Sequence, residues 1–309
     1  MKEKLLGKNL DELKAAVTVL GLKPFVGRQL AEWLYSKRAT GWDQMTNISK
    51  DAKARLSEAY DLGTAAPAGI AESSDGTKKY LFPVTCRVAG GDEESFIEAV
   101  MIPDEDRKTL CVSSQAGCKM GCRFCMTGRQ GWHGNLSAAD ILNQFLSVDE
   151  SKELTNTVFM GMGEPLDNYP AVSRAIEVLT ADWGFGWSPK RITVSTIGVI
   201  PVLKRYLDEQ RCHLAVSLHN PFGEERGQMM PVQKAWPLDR LLKGLECRVN
   251  LIRFHKIPDF PFDTASQQAM EAFRDRLNNN GTVCTIRSSR GEDILAACGM
   301  LAGKHSQQR

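Results

Sequence analysis

No apolar run in the 309 residues reaches the ~18 that a membrane-crossing helix needs. The opening stretch MKEKLLGKNLDELKAAV is charged throughout and has no apolar core of the signal-peptide kind. Net charge is scarce: 39 Lys and Arg against 37 Asp and Glu leave +2. That excludes a polyanion-binding surface spread over the whole molecule and leaves only local patches. There is no fixed-period repeat and no low-complexity tract. Second metal knuckles are missing too, since no further C-x2-C or Cys/His pair accompanies the one cysteine-rich loop. What remains is an ordinary globular composition, 42% hydrophobic and 25% charged, expected to be cytoplasmic. Thiols stay reduced there, so nine cysteines, an odd count, point to metal or redox chemistry rather than to structural disulfides.

The length suits one large α/β domain with a smaller appendage, or two modest domains. Residues 1–62 read as helical: Leu10, Leu13, Val17 and Leu20 fall near helical spacing. This segment holds 11 Lys and Arg against 8 Asp and Glu, and suits either a small bundle with solvated charges or an RNA-docking appendage. Residues 63–108 read as a linker followed by a short antiparallel connector, with strands in KKYLFPV and SFIEAVMIP. From residue 109 onward six β-rich runs alternate with helical stretches. That alternation predicts βαβ units and a parallel sheet, open or curled into a barrel, whose site gathers at the strands' C-terminal ends.

Cys118, Cys122 and Cys125 are spaced C-x3-C-x2-C on a glycine-rich loop just beyond the first of these strands. A closed zinc site wants four ligands, and a ferredoxin-type cluster takes a fourth cysteine. Three thiolates on a [4Fe–4S] cube leave one iron open for a cosubstrate. The motif in this setting is the signature of radical S-adenosylmethionine (SAM) enzymes. VFMGMGEPL, at the end of the second strand, resembles that superfamily's Gly-Gly-Glu-Pro element, with Gly163 letting the backbone approach a ligand and Glu164 able to accept from the SAM ammonium group. Ser195, then Ser217, Leu218 and His219, recur at the same edge of the next two strands, and VNLIRFH places His255 after the fifth.

TLCVSSQAGCKMGCRFCMTG, with DILAACGMLAG far downstream and FMGMGEPL, RITVSTIGVIP, LAVSLH and RVNLIRFH between them, closely resembles the RlmN/Cfr family of radical SAM RNA methyltransferases. The resemblance implies a partial (β/α)6-type barrel over residues 109–309, a [4Fe–4S] cluster on Cys118, Cys122 and Cys125, and two SAM per turnover. It implies that Cys298 takes a methyl group from SAM and passes it to an adenine carbon. Cys111 then attacks the Cys298 sulfur and frees the base, and Glu98 handles protons nearby. Composition alone would make Cys298 a packing thiol, the reading kept for Cys86, Cys212, Cys247 and Cys284. The family often has Asn where this chain has His255. Implied partners are 23S rRNA and tRNA, with a one-electron reductant such as flavodoxin, no membrane, and a monomeric chain.

For RNA phosphate the candidates are Lys78, Lys79, Arg107, Lys108, Lys119, Arg123, Arg129, His133, Arg287 and Arg290. One family element has no counterpart: a strand–helix unit is absent between about Pro237 and Cys247, which leaves a gap in the barrel wall. An omitted stretch would show as a Cα gap near Pro237 to Asp239. The main expectation is methylation of adenine C2. The alternatives are C8-directed methylation of the antibiotic-resistance type, or a catalytically impaired RNA-binding or assembly factor with the same fold.

Overall fold

Asn9 opens the first helix. Its side chain accepts from the Glu12 N–H at 3.0 Å, and the Glu12 carboxylate accepts from the Asn9 N–H at 2.8 Å, a reciprocal cap. Helix α1 (Leu10–Val19) buries Leu13, Ala16 and Val17 on one face. Helices α2 (Phe25–Ala31) and α3 (Lys50–Ala59) complete a small bundle, and parallel strands β1 (Glu3–Lys4) and β2 (Tyr60–Asp61) tie its ends. The computed structural model describes residues 2–237, 240, 248–257, 261 and 263–303.

Three strands follow: β3 (Gly69–Glu72), β4 (Lys78–Val88) and β5 (Gly91–Asp104). The expected short connector is in fact a long hairpin, with strands of 11 and 14 residues. It is not separate from the core. Strand β5 pairs antiparallel with β6 (Arg107–Cys111), Val100 standing opposite Cys111. The hairpin thereby covers an edge of the parallel sheet that would otherwise offer unpaired N–H and C=O groups.

Past β6 come a small hairpin of β7 (Gln115–Gly117) and β8 (Trp132–Asn135), with the one-turn helix α4 (Met126–Arg129) between them. Then helix and strand alternate as expected: α5 (Ala138–Leu146), β9 (Asn156–Phe159), α6 (Tyr169–Thr180), β10 (Ile192–Thr196), α7 (Ile200–Glu209), β11 (His213–Val216) and α8 (Gly223–Met229). Strands β6, β9, β10 and β11 are parallel neighbours. Together with the hairpin they form one seven-stranded sheet, in the order β11-β10-β9-β6-β5-β4-β3. Ile141, Leu142 and Phe145 of α5 and Val172, Ala175, Ile176 and Leu179 of α6 are all buried in the core. The N-terminal bundle rests on these helices, with Tyr35 edge-on to Trp183 at 5.8 Å and Lys4 paired to Asp140 at 2.9 Å.

The last strands, β12 (Val249–Ile252) and β13 (Cys284–Arg287), flank helix α9 (Gln267–Asn279) and pair with each other in a separate parallel ladder. Among the described residues the sheet therefore breaks between β11 and β12, where a strand–helix unit was expected to be absent. Strand β10 alternates between buried and half-buried positions, whereas β11 has no buried residue. Leu238 and Asp239, where a gap in the chain was to be sought, and Cys247 lie outside the described residues.

Candidate active site

The strand ends deliver the predicted groups to one edge. Cys118 donates its backbone N–H to Gly131 O at 2.7 Å, and Cys125 donates to Cys122 O at 3.1 Å, so the cysteine loop folds back on itself beside the β7–β8 hairpin. Burial pushes the Cys118 and Cys122 thiols up to about 12, with Cys125 raising Cys118 further and Cys125 and Cys118 raising Cys122. Three soft thiols spaced three and two residues apart, two of them held off from water, fit an iron–sulfur group by type and spacing, with no fourth cysteine in the loop, although among the described residues no three Cys, His, Asp or Glu side chains are gathered into a metal-binding group. Cys122 packs with Ile197, Met230 and Val232 in a small apolar cluster of its own.

Glu164 is 3% exposed. Its carboxylate accepts from Thr196 Oγ1 at 2.6 Å, Ile197 N at 2.9 Å and Leu166 N at 3.1 Å. Burial outweighs these bonds and pushes its pKa up to about 7. The expected bond to the SAM ammonium would thus add to a carboxylate that already ties the end of β9 to the end of β10. Gly163 has φ +95°, and a Cβ there would lie 2.5 Å from the Gln115 side chain. Gly163→Ala should therefore destabilise the fold by roughly 1–3 kcal/mol, read as a lowered melting temperature.

Ser195 and Ser217 are half-buried at the rims of β10 and β11. His219 has φ +56° and stacks at a tilt on Phe124 of the cysteine loop, with ring centroids 4.3 Å apart. The residue is exposed to solvent but ringed by protein, and that desolvation, then the Arg226 charge, lowers its pKa to about 4. Leu218 presents its carbonyl to Arg226, a residue the sequence did not flag. Arg226 lies on α8, flanked by polar residues in EERGQMM, and is fully buried. It donates to the carbonyls of Ile197, Ser217 and Leu218 and to Gln233 Oε1, and so pins the two loops that follow β10 and β11.

Cys111, on β6, is buried, and burial first and the Cys298 charge second push its thiol up to about 12. Cys298 is solvent-exposed but ringed by protein, and that desolvation raises its pKa as well, with Arg287 opposing and Cys125 adding to the shift. The two thiols and the trio, far apart in sequence, share one neighbourhood. Met126 N donates to Gly299 O at 2.8 Å, fastening the Cys298 segment to the turn that follows Cys125. With its pKa this high, Cys111 should alkylate with iodoacetamide at pH 8 some 10³-fold more slowly than a free thiol, and about tenfold faster per pH unit above that. Peptide mass spectrometry of the folded, metal-free chain measures this.

Glu98 and His255 both contact the C-terminal segment. Glu98 is 2% exposed, and its oxygens are held by Lys79 Nζ at 3.0 Å and by the N–H groups of Ala302 at 2.7 Å and Gly303 at 3.0 Å. His255 meets Ser289 Oγ through Nε2 at 3.3 Å and Glu292 through Nδ1 at 3.4 Å. Burial lowers its pKa. Both residues hold the C-terminal segment. Most of the proposed phosphate contacts are also engaged: Lys78 with Glu150 at 2.8 Å, Lys119 with Asp167 at 3.1 Å, His133 with Glu93 at 2.8 Å, Lys108 with Glu153, and Arg107 and Arg290 with Asp104. Arg287 lies 4.0 Å from Met160 Sδ, and Arg123 and Arg129 are exposed beside the cysteine loop. Of the cysteines read as packing residues, Cys86 and Cys284 are buried and Cys212 is half-buried.

The radical SAM superfamily matches residues 112–248, and the ribosomal RNA large subunit methyltransferase N-terminal domain matches residues 3–62. The chain is 53% identical to a probable dual-specificity RNA methyltransferase RlmN of Porphyromonas gingivalis over 96% of both chains. It is 37% identical to a dual-specificity RNA methyltransferase RlmN of Syntrophus aciditrophicus over 97% of both. The crystal structure of a radical SAM methyltransferase from Sphaerobacter thermophilus superposes with a TM-score of 0.89 at 33% identity, covering 98% of this chain and all of that one. The P. gingivalis alignment runs over 336 positions, 27 more than this chain has residues. At least that many residues of the relative have no counterpart here, in keeping with the break between β11 and β12.

Proposed function

This chain belongs to the RlmN family of radical SAM RNA methyltransferases, and on that premise we propose that it methylates carbon 2 of adenosine in 23S rRNA and tRNA. The observation that carries this reading is the placement of Cys298 and Cys111 together beside the cysteine trio. Adenine C2 is electron-poor and cannot displace a methyl group from SAM by itself. Cys118, Cys122 and Cys125 would hold a [4Fe–4S] cluster, which supplies the single electron needed to open a radical route.

The chain's own residues do the rest. Cys298 accepts a methyl group from SAM by displacement and carries it to the base. Cys111 attacks the Cys298 sulfur as a thiolate: the S–S bond forms as the bond from that sulfur to the carbon on the base breaks, and the carbon leaves with the electron pair and takes a proton, releasing the methylated adenosine. Glu164, Arg226 and Thr196 brace the loops on which SAM would lie, and neutral His219 offers a ring nitrogen as hydrogen-bond partner. Gly163, Ser195, Ser217 and Leu218 line the same edge, and His255 acts through the C-terminal segment. Residues 1–62 serve as an accessory domain, 63–108 as the connector and 109–309 as the catalytic core. A flavodoxin-type protein is the proposed reductant, and the enzyme works as a cytoplasmic monomer. No described helix is long and apolar enough to cross a membrane.

The break beside β11 favours one other reading, an RNA-binding factor that has lost turnover. Anaerobic reconstitution with iron and sulfide, then incubation with methyl-labelled SAM and either rRNA or tRNA, separates them. Label in C2-methyladenosine supports the proposal. Label at C8 replaces it with the other regiochemistry, and RNA binding without turnover supports the impaired factor.

A further inference from the structure

Residues 288–303, which carry Cys298, form neither helix nor strand. What holds such a segment in place is a question the family chemistry does not answer. The sheet beneath it supplies an answer. Lys79 on β4 stands opposite Val100 on β5, and Val100 stands opposite Cys111 on β6. Residues opposite one another in a ladder point to the same face. Glu98, two residues from Val100, shares that face and is the diagonal neighbour of Lys79. Lys79, Glu98 and Cys111 therefore lie on one side of the sheet.

The Lys79–Glu98 pair touches the segment on both sides of Cys298. Upstream, Lys79 Nζ donates to Leu295 O at 3.5 Å. Downstream, Glu98 Oε2 accepts from Ala302 N and Gly303 N. The fit is close at that end: Gly303 has φ +58°, and a Cβ there would collide with the Phe96 carbonyl. Lys79 is 9% exposed and Glu98 2%. A buried pair in which one member is removed strands the other charge, whereas removing both charges together does not.

We propose that the Lys79–Glu98 ion pair is a clamp that holds Cys298 over Cys111 by gripping its segment on either side, and that Lys79 and Glu98 are positioning residues rather than a phosphate contact and a proton carrier. The proposal rests on the carrier role of Cys298 described above. It assigns to Glu98 work that an uncharged acceptor can do, provided Lys79 is neutralised with it.

The test compares the reconstituted full chain with K79M, E98Q, K79M/E98Q and K79R, by hydrogen exchange of the 295–303 peptide and by methylated RNA formed. Each neutralising single substitution should speed exchange of the Ala302 and Gly303 amides at least tenfold and cut turnover at least tenfold. The double substitution should bring both within about threefold of the parent chain, because the glutamine side chain that E98Q introduces still offers an amide oxygen to those N–H groups. K79R keeps the charge and should keep the protection, which guards against a general folding defect in K79M. Unchanged exchange in K79M and E98Q overturns the clamp. So does a double variant with restored protection but turnover no better than E98Q, because the charge on Glu98 is then needed for the chemistry itself. If Cys298 of the parent chain never acquires a methyl group, the functional reading fails, and the exchange data still decide the clamp.

Discussion

Cys122→Ala is expected to give a pale, iron-poor protein with no methyl transfer above background. A cluster bound by three thiolates loses a third of its protein ligands, and the fourth iron already lacks one. Loss of an outer-shell partner at a metal site typically costs 10–100-fold, and loss of a direct ligand should exceed that. Cys122 also fills space: it is 7% exposed and packs on Ile197, Met230 and Val232. The alanine should therefore cost about 1–2 kcal/mol of stability as well. Cys122→Ser separates the two effects, since it nearly keeps the volume and loses the soft ligand. Cys86→Ala is the control: that thiol is equally buried but stands apart from the trio, and the variant should retain its iron. Full iron content and turnover in Cys122→Ala would sink the site assignment.

Cys111→Ala should convert a turnover enzyme into one that captures its substrate. If Cys298 carries the methyl carbon onto adenine, the base is released only when a second thiol attacks the Cys298 sulfur. Cys111 lies on β6, near enough to Cys298 to feel its charge. Its high pKa keeps it a neutral, unreactive thiol until a partner draws it in. The variant should make at most one methyl transfer per chain and leave RNA attached to protein, seen as a shifted band on a denaturing gel. Cys111→Ala combined with Cys298→Ala should show no such band. Multiple turnovers by Cys111→Ala would rule out the two-cysteine release step.

Several elements were legible in the linear chain because the signal is local. Strand–helix alternation over residues 109–309 shows as a change of hydrophobic period, and each of the parallel strands there overlaps a run read as β-rich. The C-x3-C-x2-C loop was readable because thiols three and two residues apart stay on one loop whatever surrounds them. The break between β11 and β12 was anticipated from a missing length of chain. The connector was misjudged as short because SFIEAVMIP and KKYLFPV carry strand composition over only part of their paired length, and β4 and β5 extend each other by pairing from Thr85–Glu94 out to Val88–Gly91.

Residue types and short spacings, then, were enough to single out the three thiols proposed to hold iron and the strand ends proposed to face SAM. Only the fold could bring Cys298 next to Cys111, turn the Glu98 carboxylate toward Lys79 and the C-terminal amides, and bury Arg226 among three carbonyls. The reason is physical. A side chain's partner and its exposure to water are set by whatever the chain folds against it, and for these groups that partner comes from a distant element.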